Sequence, residues 1–167
     1  MRSVVVLALT VAVTAPVFAA EPSGCDKFKW PIERERAALT APERTALVSG
    51  AAVTTPLPVA ATLTLRPVAD AGLPSAPERA AAEGTFAGYL DVKTSRPAGT
   101  YSISISAGAW IDVVQEGRYL KPKAFSGATD CAGLRKTMKF DLAASPFVVQ
   151  VSGMKENTIT VAILPVE

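Results

Sequence analysis

The chain of 167 residues contains no histidine. A Ser-His-Asp or Cys-His catalytic set therefore cannot be assembled from it. A two-His-one-carboxylate iron centre and an ordinary catalytic zinc site are excluded for the same reason. Any catalysis has to run on carboxylates, Lys, Tyr or backbone groups. Cysteine is scarce as well. Cys25 and Cys131 are the two present, and without histidine they make a poor metal-ligand set. No catalytic residue, metal or cofactor is expected. Charge of one sign is also missing, with 17 Lys and Arg against 15 Asp and Glu. The two signs alternate in both halves, and no basic stripe of the kind nucleic-acid binders carry is visible. Neither a Walker loop nor a dinucleotide fingerprint nor an EF-hand loop occurs. Asp91, Asp112, Glu116, Asp130 and Asp141 are the carboxylates that a glycosidase-like pair would draw on. Asp112 and Glu116, on one face of a strand, would stand about 13 Å apart at ~3.3 Å per residue, wider than such a pair uses. Solvated surface charge is the better reading.

No apolar stretch beyond the N-terminus is long and uninterrupted enough to cross a membrane. In MRSVVVLALTVAVTAPVFAAEPSG, Arg2 precedes an apolar run from Val4 to Val13, and small residues follow at Ala15, Ala19 and Ala20. This is the pattern of a secretory signal peptide. The run is too short for a membrane-spanning helix, which needs ~20 residues. Cleavage after Ala19 leaves Val17 and Ala19 at the two positions where a small side chain is wanted. The expected product is periplasmic or secreted, without a transmembrane anchor. About 148 residues then remain, enough for one domain with a real core. In an oxidising compartment, Cys25 and Cys131 are expected to form one disulfide, with two free thiols as the alternative. It would close a loop of about 106 residues, worth ~4.7 kcal/mol in the chain-entropy account.

Residues 25–47, CDKFKWPIERERAALTAPERTAL, carry the one helical signal. Pro31 suits a first helical position, and Glu33 stands in the first turn, where the helix dipole favours it. Ile32 and Leu39 would share a face, and Pro42 ends the helix after about two turns. Residues 48–60 and 67–84 are rich in Ala, Pro, Gly and Ser and read as loops or extended connections. ATLTLR between them alternates, as do GTFAGYLDV, KTMKFDLA, FVVQVSG and NTITVAIL later. Period-two segments separated by turn residues predict a mainly β chain, an antiparallel β-sandwich of jelly-roll type, with one short N-terminal helix. The expected division is a leader over 1–19, an arm with the helix over 20–60, and the sandwich over 61–167.

The stretch PAGTYSISISAGAWIDVVQEG, residues 97–117, reads as a hairpin. A loop of Ala107 to Ala109 sets Ile105 opposite Ile111 and Ile103 opposite Val113, keeping the apolar set together. Trp110, Asp112 and Val114 would then share an outer face with Ser102, Ser104 and Ser106. Trp110 would be covered by the N-terminal segment or by the 118–135 loop, because indole is usually buried by something, with an open ligand platform as the alternative. Downstream, EGRYLKPKAFSGATDCAGLRK gathers Arg118, Lys121, Lys123, Arg135 and Lys136 around Tyr119 and Phe125. A loop made rigid at Cys131 and bearing cations and aromatics suits an anionic or sugar-like ligand. The alternative is a solvated loop whose two aromatics plug the core edge.

Two resemblances follow from these motifs. GTYSISISAGAWIDVV, FVVQVSG and the final ITVAIL resemble the bacterial pre-peptidase C-terminal domains over residues 84–164, which implies an accessory module of an exported protein. The early Cys with KFKWPIERERA, the AWIDVVQEGR strand, and AFSG followed by a Cys and LRK resemble a group of small exported proteobacterial proteins. Some of that group carry a homogentisate 1,2-dioxygenase label. That chemistry needs histidine ligands for iron, and this chain supplies none, so the label is disfavoured. The leading expectation is a non-catalytic binding or accessory module for an envelope protein or an anionic or sugar-like ligand. Its expected contact residues are Trp110, Asp112, Arg118, Tyr119, Lys121, Lys123, Arg135 and Lys136. The alternative is an inhibitor of an envelope lysozyme or protease.

Overall fold

The alternating segments become strands whose apolar faces meet in one core. The structure, a computed structural model, describes residues 20–167, so the leader expected over 1–19 lies outside the described residues. Strands β1 (Thr45–Val48), β2 (Ala51–Val53), β3 (Val59–Thr64), β4 (Arg66–Pro67), β5 (Phe86–Val92) and β6 (Gly99–Ile105) are followed by β7 (Trp110–Gln115), β8 (Arg118–Leu120), β9 (Ala124–Gly127), β10 (Lys136–Leu142), β11 (Phe147–Met154) and β12 (Thr158–Pro165). They form two sheets. Sheet I runs β1-β3-β12-β6-β10-β9, and sheet II runs β2-β5-β11-β7-β8 with β4 on β5. Pairing is antiparallel except at β1 with β3 and β2 with β5, which are parallel. Leu63, Ile103, Ile105, Phe140, Ile159, Val161 and Ile163 of sheet I meet Leu90, Val92, Ile111, Val113, Phe147, Val149 and Val151 of sheet II. Gly88 interrupts the apolar face of β5 for a steric reason. A Cβ there would sit 2.9 Å from both Leu65 Cδ2 and Ser49 Oγ.

The helix α1 spans Glu33–Thr40, so Pro31 precedes it rather than opening it and Ile32 is its N-cap; Ile32 and Leu39 are nevertheless both buried, as their spacing predicts. They pack with Leu134, Ala162 and Leu164 in a second cluster on the outer face of sheet I, flanked by Phe28 and Trp30. The Cys25–Cys131 disulfide is formed across a separation of 106 residues. It fixes the arm to the segment between β9 and β10. Beside it, Gly24 N–H donates to Thr129 O and Thr129 N–H to Pro22 O, each at 2.8 Å.

Three expectations change. The Ala-rich stretch after residue 44, read in part as loop, supplies β1 and β2, short strands that add to sheet edges. The 116–136 segment is not one loop. It contains β8 and β9, and crosses from the edge of sheet II to the edge of sheet I. Most consequentially, β6 and β7 do not form a hairpin. Ile105 pairs with Val161 and Lys136, while Ile111 pairs with Val151. The turn at 106–109 is an arch between sheets. Alternation assigns each residue to a face but not to a partner, so an arch and a hairpin are equally compatible with it. The isoleucines still share one core, but from opposite sheets. Ser102 and Ser104 therefore lie on the outer face of sheet I under the arm, where Ser102 Oγ donates to Glu35 Oε1 at 2.9 Å. Trp110, Asp112 and Val114 belong to the opposite outer face, that of sheet II.

Candidate functional site

The eight expected contact residues separate into three groups. Asp112, Tyr119 and Lys121 hold down a strap formed by residues 71–79, which crosses the outer face of sheet II. The strap is tied at successive points. The Gln150 side-chain amide accepts from Ser75 N–H at 3.0 Å and donates to Ser75 O at 3.1 Å. Tyr119 Oη donates to Ala76 O. Glu78 N–H donates to Asp112 Oδ2 at 3.2 Å, and Lys121 Nζ pairs with Glu78 Oε1 at 2.5 Å. The Pro- and Ala-rich strap thus covers Asp112, whereas Trp110, expected under the N-terminal segment or the 118–135 loop, is flanked by residues of both and by Arg79 of the strap but stays half-exposed. Gln150, which carries two of the ties, was not singled out from sequence. Within FVVQVSG it reads as an ordinary outward polar residue.

Arg118 and Lys123 stand apart. Arg118 pairs with Glu116 on an exposed turn, and Lys123 pairs with Asp141 at 3.1 Å. Exposed pairs of this kind contribute ~0–1 kcal/mol.

Trp110, Arg135 and Lys136 do converge. They line a slot of about 540 Å³ between the start of β10 and β9 on one side and the start of β7 on the other. Ala109, Ile111, Pro122 and Met138 supply apolar surface, and Phe125 and Glu21 complete the rim. The register explains how a lysine comes to be there. Lys136 pairs with Ile105, so it has the inward parity of Met138 and Phe140. As the first residue of β10, it sends its stem along the sheet interior and its ammonium out at the mouth. That ammonium donates to Ala109 O at 2.6 Å. It also stands 5.2 Å from the Trp110 ring centroid and 5.8 Å from that of Phe125. Burial lowers the Lys136 pKa, the neighbouring Arg135 lowers it further, and Glu21 opposes both. From the strap, the Arg79 guanidinium lies 4.0 Å over the Trp110 ring. Trp110 and Phe125 nevertheless remain 43% and 47% exposed.

This arrangement offers two aromatic walls, an apolar floor and a surplus of cations. Sequence reasoning placed Phe125 in the right segment without including it among the contact residues. Arg79 and Glu21 had no signal, since each is one charge in a Pro-containing, irregular stretch.

Asp112 gives a test of the strap. Burial pushes its carboxyl above the ordinary range; the Glu78 N–H and Lys121 favour the ionised form, and the Glu78 carboxylate adds to the rise. The folded chain then holds this proton more tightly than the unfolded chain. Its contribution to stability is present at low pH and is lost as pH rises from the unfolded value through the raised folded one. Asp112→Asn keeps an acceptor for Glu78 N–H. It is expected to match or exceed the parent in denaturant midpoint near pH ~7, with the difference gone near pH ~3. A variant clearly weaker than the parent at neutral pH would show that the charge itself holds the strap.

Comparison of the chain with family models, curated proteins and solved structures found no match.

Proposed function

We propose that the protein is an exported, non-catalytic binding module whose slot takes anionic ligands with an apolar aromatic body. The observation that carries this reading is the pairing of two half-exposed aromatic walls, Trp110 and Phe125, around the Lys136 ammonium. Large apolar side chains are seldom left open together beside a cation unless a partner covers them. The slot volume lies within the ~300–1,000 Å³ typical of small-molecule sites. Its polar side chains are mostly charged, with cations in excess, so an anion with a flat apolar body fits better than a neutral sugar. Export is supported by the disulfide and by the sequence of residues 1–19. An accessory role of the kind implied by the resemblance to pre-peptidase C-terminal domains agrees with this reading.

The test uses 8-anilinonaphthalene-1-sulfonate, an aromatic anion whose fluorescence rises on binding. The native protein is expected to bind it with a defined stoichiometry of one. Phe125→Ser and Lys136→Met are expected to weaken binding by about tenfold each, or ~1.4 kcal/mol, while thermal midpoints stay near the parent's. Equal binding by parent and both variants would place the dye elsewhere and sink the assignment.

A further inference from the structure

We propose that Glu21 is a built-in occupant of the slot's anion position, and that the ligand is an aromatic carboxylate that displaces it. This inference rests on the reading of the slot as a binding site.

The arm reaches the rim because of how it is fastened. Residues 22–24 run beside Thr129 through two backbone hydrogen bonds, and the next residue, Cys25, is bonded to Cys131. Glu21 therefore enters at a fixed position, with Oε2 at 2.6 Å from Arg135 Nη2. The two partners are unequal. The Arg135 side chain is 24% exposed, whereas that of Glu21 is 67% exposed. On leaving, the glutamate regains water at little cost, whereas the guanidinium, largely enclosed, still requires an anion. A pair with one partner this exposed contributes little, ~0–1 kcal/mol. An incoming carboxylate can make the same charge-assisted bond to Arg135 and approach Lys136 next to it. It also brings something Glu21 lacks, an aromatic body to lie between Phe125 and Trp110. Charge agrees with this. Arg135 and Lys136 line the slot, with Arg79 behind them over the Trp110 ring, and Glu21 is the carboxylate among the lining residues described. Because the chain's own surrogate is a carboxylate on a single guanidinium, the structure assigns a monoanionic carboxylate rather than a phosphate dianion.

The experiment measures dissociation constants of 2-naphthoate, of neutral 2-naphthamide and of 2-naphthyl phosphate for the disulfide-intact protein, the Glu21→Gln variant and the Arg135→Met variant at one ionic strength. Glu21→Gln is expected to tighten 2-naphthoate by about three- to fivefold, the upper part of what an exposed pair allows, and to leave 2-naphthamide unchanged. Arg135→Met is expected to erase the preference for the carboxylate over the amide. An unchanged 2-naphthoate affinity in Glu21→Gln overturns the displacement and leaves the slot reading standing. Equal tightening of both compounds shows that the arm merely blocks entry, and overturns the anion assignment. Tighter binding of 2-naphthyl phosphate than of 2-naphthoate overturns the carboxylate class. Failure of every naphthalene to bind parent and variants removes the slot reading itself.

Discussion

Replacing Cys25 and Cys131 together by alanine is expected to lower the unfolding free energy by about 2–5 kcal/mol. The bond joins positions 106 residues apart, so its loss releases a long loop in the unfolded chain. The folded side suffers too. Beyond this bond, the N-terminal end of the arm is held by two backbone hydrogen bonds with Thr129, by Ser23 Oγ donating to Asp130 Oδ2 at 2.5 Å, and by Lys29 N–H donating to Ser126 Oγ at 2.9 Å, all but the last close to the disulfide. The apolar cover of Ile32, Leu39 and Phe28 on Leu134 and Leu164 depends on the arm staying in place. Denaturant titration of the oxidised protein and the double variant measures the effect. The arm is expected to loosen before the sandwich, so amide exchange should quicken first over residues 22–40 and 129–135. Superimposable titrations would show that packing alone holds the arm.

Phe147→Ala is expected to cost a further ~3–5 kcal/mol, the range for removing a buried aromatic ring. Phe147 opens β11 and is fully enclosed by the core. Its ring also supports a buried cation. The Arg96 guanidinium sits 4.6 Å from the ring centroid of Phe147 and 4.9 Å from that of Tyr101, and donates to Ser145 O at 3.0 Å. Truncation leaves a cavity and takes one aromatic face from an arginine that has little access to water. The thermal midpoint is expected to fall by on the order of 10 °C for a chain this size. Phe147→Leu, which keeps most of the volume, is expected to cost under ~1.5 kcal/mol. A loss of less than ~1 kcal/mol for the alanine variant would mean that neighbouring side chains collapse into the space.

Parts of the site were legible at the level of segments. The run of cations and aromatics over 116–136 contains Phe125, Arg135 and Lys136, and Trp110 was singled out independently. What could not be read was their selection. Arg118, Tyr119, Lys121 and Lys123 have the same local composition as the residues that line the slot. Yet one opens β8 and pairs with Glu116 in open solvent, two tie the strap and one pairs with Asp141. Asp112 looked exposed because alternation places it outside the core. It is buried because a stretch with no period, residues 71–79, lies over it.

By itself the sequence determined the export-type leader pattern, the β class, the short helix with Ile32 and Leu39 on its buried face, the partnership of the two cysteines and the absence of imidazole chemistry. Each follows from residue type or from local periodicity. Only the tertiary structure decided that β6 and β7 belong to different sheets, that the strap covers Asp112, and that Glu21 meets Arg135 beside Trp110 and Phe125. The physical reason is that a pleat's period of two says which way a side chain points. Which strand, strap or arm lies across from it is settled by chain closure and packing between segments far apart in sequence.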